Sequence, residues 1–174
     1  MTNDREQPVG GRPVGAAERS LTELLTELAA GGISPGAGAA GAITLALAAA
    51  CAGKAVAISL KHHPQDEALG RARDQLAELR RLALVGADED GRRFEDFVHS
   101  KDTAAADRLL QAGQGLRQLA AALTDLLDVV EARIDAVVAG DLVAARALCA
   151  ASITIEAENL DENRRANSLT QPGR

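Results

Sequence analysis

Apolar positions along this chain recur at the three- and four-residue spacing of helices, and no segment alternates as a half-buried strand would. The first periodic stretch opens at Ser20-Leu21-Thr22-Glu23, a capping box in which serine and glutamate side chains satisfy the first free backbone N–H groups. Leu21, Leu24, Leu25 and Leu28 follow at helical spacing, and Gly31-Gly32 ends the element. A Pro35-Gly36 turn then opens into a run of Ala, Gly, Leu, Ile and Val that reaches Ser59 with one charge, Lys54. A helix that is apolar on every side is a buried one. Its small residues let neighbouring helices approach closely. Lys61-His62-His63-Pro64 breaks the chain, and Asp66 restarts it with the stripe Leu69, Ala72, Leu76, Leu79 and Ala83. Gly86 is expected to end that helix, and Asp88 to Val98 to form another with Phe94 and Phe97 turned inward. From Asp102 to Val138 the residues Leu109, Leu116, Leu123, Val130 and Val137 fall seven apart, with a kink or break expected near Gly113 and Gly115. Gly140-Asp141 is expected to cap a last helix that reaches about Asn163.

These elements predict an all-α protein, an antiparallel bundle of about five helices around the buried Ala/Gly-rich one. Residues 1–16 read as a disordered lead, 17–164 as the helical domain and 165–174 as a flexible tail. A chain of 174 residues and 18.0 kDa suits one core. The Ala/Gly run is long enough to suggest a membrane span, but Ala and Gly drive insertion weakly and a chain without Trp or Tyr has no aromatic belt. A core helix is expected instead, with no membrane partner. Net charge is −6 and the basic residues are scattered, which argues against nucleic acid. Cys51 and Cys149 fall inside apolar runs and read as core thiols of a reduced, cytoplasmic protein, and the polar start of the chain does not read as a signal peptide.

The turn Pro35-Gly36-Ala37-Gly38-Ala39 and the Ala/Gly helix after it resemble the cyclodeaminase/methenyltetrahydrofolate cyclohydrolase family, found as the C-terminal domain of formiminotransferase-cyclodeaminase and in free-standing bacterial relatives. That family carries Pro-Gly-Gly-Gly-Ser at this point. Downstream, Asp88-Glu89-Asp90 with Phe94 four residues on resembles the family's Asp-x-Asp stretch. Asn159-Leu160 matches the second half of the family's Asn-Val-x-x-Asn-Leu helix. The resemblance covers roughly residues 17–164 in the same order. It departs at Ala37 for the middle glycine, Ala39 for the serine, Ile155 for the first asparagine and Gly115 for a proline. A Ser-Asp that usually precedes the last helix appears as Gly140-Asp141.

A glycine-rich loop at a helix N-terminus presents free N–H groups and can lie against an anionic or planar ligand, so Pro35, Gly36 and Gly38 are candidate binding residues. The resemblance implies chemistry on a one-carbon C–N unit, amidine or iminium, of a tetrahydrofolate-like small-molecule substrate. Such chemistry needs a proton shuttle, and Asp88 and Asp90 are the candidates. Asn159 enters through its motif, and Lys54 and Lys61 as amines near apolar surroundings that need a partner. Ser152, Glu156, Asn159 and Asn163 share one helix face, a pattern that is usually solvated. No built-in cofactor is expected, and no metal, because adjacent His62 and His63 lack ligand spacing and His99 stands far along the chain. The resemblance further implies a homodimer. The alternatives are related ring-closing or ring-opening chemistry on another small heterocycle, or a non-catalytic binding or scaffolding subunit.

Overall fold

The computed structural model describes Gly15 and residues 17–170. The expected lead, residues 1–16, lies outside the described residues except for Gly15. Within them the chain forms five α-helices: α1 (Leu21–Leu28), α2 (Ala37–His62), α3 (Glu67–Ser100), α4 (Thr103–Glu131) and α5 (Ala139–Thr170), with one 3₁₀ turn at Ala136–Val138 before α5. No strand occurs among the described residues. The all-helical bundle read from periodicity is therefore what the chain builds.

Three helix starts, those of α1, α3 and α4, are capped by a side chain. The Ser20–Glu23 capping box forms as written, with the Glu23 N–H donating to Ser20 Oγ at 3.2 Å and the Ser20 N–H donating to Glu23 Oε2 at 2.8 Å. Asp66 caps α3 by accepting from the Ala68 and Leu69 N–H groups, and Asp102 caps α4 by accepting from that of Ala105. Between α3 and α4 the chain reverses at Lys101, which takes a left-handed φ of 53°.

α2 packs against α3 and α5, with α4 completing the bundle. Its Ala48, Ala52 and Ala55 have no exposure at all, and Leu45 and Val56 interlock with Leu69, Leu76, Leu123 and Leu127. A helix of small residues can be enclosed this way because neighbouring helices come close to its backbone. Cys51 and Cys149 are free thiols, Cys149 buried in this core and Cys51 packed at its edge.

Five expected boundaries are corrected. Gly86 does not end a helix, and α3 runs through it to Ser100. A Cβ at Gly86 would lie 2.5 Å from Leu116 Cδ2, so the glycine serves the close approach of α4. Gly113 and Gly115 likewise sit inside an unbroken α4, and Gly113 leaves room for Leu160. The fourth element stops at Glu131 rather than Val138, because the Asp135 N–H donates to Ser59 Oγ at 2.9 Å and Arg133 pairs with Asp66 at 3.0 Å. Val137, the fifth of the seven-spaced residues, is consequently 79% exposed. Gly140-Asp141 falls within the first turn of α5 rather than before it, and α5 continues to Thr170 instead of fraying after Asn163. Ala166 packs against the Phe97–Leu109 cluster and carries the helix onward. Residues 171–174 of the expected tail lie outside the described residues.

Candidate functional site

At the N-terminal end of α2, three helices bring their polar side chains onto bare backbone. Gly36 is the N-cap and Gly38 lies in the first turn. A Cβ at Gly38 would overlap the Asp90 carboxylate and stand 2.5 Å from Asn159 Nδ2. One turn later, a Cβ at Gly41 would overlap the Glu156 carboxyl. Ser152 Oγ donates to the Gly41 carbonyl at 2.9 Å, the only polar tie between α5 and this stretch of α2 that the described residues make. The two glycines thus admit Asp90 from α3 and Glu156 and Asn159 from α5. Their role is close approach, and neither has a left-handed φ that would demand glycine.

Asp90 is 5% exposed, and burial pushes its carboxyl up from the ordinary value while the Asn159 amide, 3.5 Å away, opposes this. Glu156 has no exposure, and neither of its oxygens has a hydrogen-bond partner among the described residues. Burial first, and then the charge of Asp90, push it up to about 8. Both causes act in the same direction on Glu156, since a desolvated carboxyl beside another negative group resists taking a second charge.

Asp90 and Asn159 line a cavity of about 260 Å³ with Ser34, Gly36, Gly38, Phe94 and Asn163. An outer cavity of about 550 Å³ adjoins it, sharing Ser34 and Gly91, and is lined by Pro35, Asp88, Arg19 and Arg92 among others. Together they form an elongated cleft along α3. The two candidate carboxylates line different parts of this cleft. Both lie inside α3, and residues two apart on a helix point to different sides. Asp90 faces the inner cavity and Asp88 the outer.

The structure therefore brings Gly36, Gly38, Asp90 and Asn159 together, with Pro35 and Asp88 in the adjoining space. It separates the two lysines from them. Lys54 is 63% exposed and pairs with Asp141 at 3.0 Å, and Lys61 is exposed in the last turn of α2, at the opposite end from Gly36. His62 and His63 both bond the Asp135 carboxylate, at 2.6 and 3.1 Å, also at that far end. The polar stripe on α5 is not solvated: Ser152, Glu156 and Asn163 are buried and Asn159 half-buried. Glu156 is the residue that sequence reasoning missed. The available signal was the pairing of that stripe with Gly38 and Gly41, whose own spacing of three puts them on one face of α2.

No protein-family profile matches the chain, and no curated protein matches it. Among solved structures, the crystal structure of formiminotetrahydrofolate cyclodeaminase from Thermotoga maritima superposes with a TM-score of 0.80 at 21% identity, covering 86% of this chain and 80% of that one. The chain has the fold of that cyclodeaminase.

Proposed function

We propose that this protein is an enzyme of the cyclodeaminase or cyclohydrolase type, acting on a one-carbon C–N unit of a tetrahydrofolate-like substrate. The observation that carries the reading is a carboxylate, Asp90, 5% exposed on the wall of a cavity and pressed against the bare first turn of a buried helix. Ring closure onto a formimino carbon must move a proton to the departing ammonia, and hydrolysis of a methenyl carbon must take one from water. A desolvated carboxylate with a raised pKa is suited to both. Gly36 and Gly38 form the floor beneath the ligand, Asn159 orients Asp90, and the outer cavity past Pro35 and Asp88 takes the remainder of an elongated molecule. No cofactor enters this scheme, and the folate is the substrate itself.

Ala39 bears on which substrate is used. It is 2% exposed and packs with Ala42, Ala87 and Leu116, so the serine that the family motif has here would point into an apolar cluster rather than the cavity. A second reading, related chemistry on another small heterocycle, is favoured by Glu156, which puts a carboxyl where the resembled Asn-Val-x-x-Asn-Leu pattern has an apolar residue. We further propose a cytoplasmic homodimer with neither membrane nor nucleic-acid partner. The apolar stripe of α2 that stays outside the bundle, with Leu47 at 50% exposure, supports a second copy as its cover.

The test is turnover of formiminotetrahydrofolate, read as ammonia release, and of methenyltetrahydrofolate, read as hydrolysis. The wild type should turn over one of them, and Asp90→Asn should lower the rate about a hundredfold or more while still binding a folate analogue. An unchanged rate in Asp90→Asn would move the proton shuttle to Asp88. Failure of the wild type to bind any folate analogue would remove the folate reading and leave the other heterocycle or the non-catalytic subunit.

A further inference from the structure

The inner cavity carries a buried amide on which the proposed chemistry does not draw. Asp90 and Phe94 stand one turn apart on α3, Asn159 and Asn163 one turn apart on α5, and all four line the cavity. In the first of these turns the Asn159 amide has Asp90 as its partner, 3.5 Å away. The second turn offers nothing comparable, since Phe94 has no conventional donor or acceptor. Asn163 is 5% exposed, and its side-chain amide makes no hydrogen bond to any described residue. Nor is that amide sealed in protein. The enclosed, unpartnered polar atoms among the described residues belong to Arg146 and Glu156, whereas Asn163 opens onto the cavity it lines. A buried amide without partners destabilises a fold. An apolar side chain would suit the place better, because Phe94 and Ala166 beside it join the cluster of Phe97, Ala106 and Leu109.

We propose that Asn163 is the specificity-determining residue of the inner cavity, pairing with the uncharged edge of a ring ligand on which an N–H stands beside a carbonyl. The proposal rests on the reading of this cavity as a ligand site, and on neither the reaction nor the folate. A side-chain amide carries an acceptor oxygen and a donor NH₂ at the same end, so one such edge satisfies both at once. The amide can turn about its last bond and take the N–H and the carbonyl in either order. A carboxylate or an ammonium at this position could serve only half of that edge. The charged residues of the wall, Asp90 and, at the rim, Glu162, are both acidic and turn anionic ligands away. Phe94 and Ala166 supply apolar surface for the ring that bears the edge. At about 260 Å³ the cavity is small for a ligand site and has room for one ring system.

The experiment compares two probes that differ in that edge alone. Isoquinolin-1-one is a neutral fused-ring lactam, and its N-methyl derivative keeps the rings and the carbonyl but has no N–H. Both are titrated into the full chain up to millimolar concentration, with binding read by ligand-observed NMR. The wild type should bind the lactam about tenfold or more tightly than the N-methyl compound, because a site built around a hydrogen bond rejects the analogue that cannot make it. Asn163→Leu, close to asparagine in shape and without its polar atoms, should bind the two alike, chiefly through loss of affinity for the lactam. A preference that persists in Asn163→Leu comes from the bulk of the methyl group and overturns the proposal. So does a wild type that binds both probes equally, or neither. Should Asn163→Leu fail to fold, Asn163→Asp gives the same reading: its carboxylate accepts the N–H but repels the carbonyl, so lactam affinity should fall, and unchanged affinity overturns the proposal. The outcome is separable from the folate reading. Lactam preference that depends on Asn163, in a chain that turns over neither folate, leaves this inference standing and removes that one. Folate turnover whose KM is unmoved by Asn163→Leu, with no lactam preference in the wild type, does the reverse.

Discussion

Gly38 is needed for the atoms that stand over it. Its backbone is helical, and the missing Cβ is what allows Asp90 and Asn159 to reach the first turn of α2. Gly38→Val therefore cannot separate a structural from a binding effect in the way a ligand-contact glycine would. The added methyls displace the carboxylate and the amide together, and we expect a stability loss of about 1–3 kcal/mol along with loss of ligand binding. Denaturant midpoints and a folate-analogue titration on the same preparation check both. Glu156 makes a second prediction at this scale, with a defined sign. Its folded value of about 8 lies above the ordinary 4.5, so the folded chain holds an extra proton between those limits. The stability it contributes is full below the ordinary value and falls as pH rises through the window, at up to ~1.4 kcal/mol per unit. Asp66, held low chiefly by the Leu69 N–H, and Asp135, held low chiefly by His62, act in the opposite sense. Both contribute above the usual aspartate range and lose that contribution only as pH drops below it, so they leave the Glu156 window clear. Unfolding curves at about pH 5 and about pH 8 should differ for the wild type and coincide far more nearly for Glu156→Gln.

Helix glycines at the element scale sort by what stands opposite them. Gly115 has nothing within 4 Å of the place a Cβ would take, and it lies mid-helix in α4. Gly115→Ala should raise stability by about 0.5–1 kcal/mol, since it removes backbone freedom from the unfolded chain at no steric cost. Gly86→Ala should do the opposite, because its methyl meets the buried Leu116. Denaturant titration of the two variants reads the contrast, and a destabilised Gly115→Ala would show that α4 does bend there. The same two positions explain what was legible beforehand. Periodicity placed every helix, the capping box placed the start at Ser20, and the breaks in the apolar pattern placed the starts near Asp66 and Asp102. Breaks were overplaced at Gly86, Gly113 and Gly140 because a glycine's local cost is visible in sequence whereas the side chain packed against it is not. The site followed the same rule. Gly36, Gly38, Asp90 and Asn159 were legible through a motif, but the burial of Ser152, Glu156 and Asn163 depended on α2 being too slim to keep α5 at a distance. Lys54 was misplaced for the converse reason, since its partner Asp141 comes from a helix start that local spacing cannot bring near.

Across the whole molecule, the feature that builds the site also leaves a surface open. α2 is surrounded by α3, α4 and α5 on its buried sides, yet Leu47 is 50% exposed, Ile43 and Ala50 are half-buried and Ala57 is exposed, all within one stripe broken by Lys54. By length and composition α2 could cross a membrane, and α5 passes the same measure. Enclosure by the other helices argues for a core role, and the remaining stripe asks for a cover of matching flatness. A second copy of the chain offers the same small-residue surface, and small residues gain most when two backbones approach closely. We therefore expect light scattering at micromolar concentration to give twice 18.0 kDa. Leu47→Asp should return the mass to that of one chain, because a charge at the centre of a self-complementary interface is met by its own copy across the two-fold axis. Helical content by circular dichroism should be unchanged in that variant, as Leu47 takes no part in the buried core. A wild-type mass of 18.0 kDa would refute the dimer and leave the stripe as ordinary exposed surface. A dimer that survives Leu47→Asp would place the interface on a different face, with the exposed Val143 and Ile153 of α5 the next residues to change.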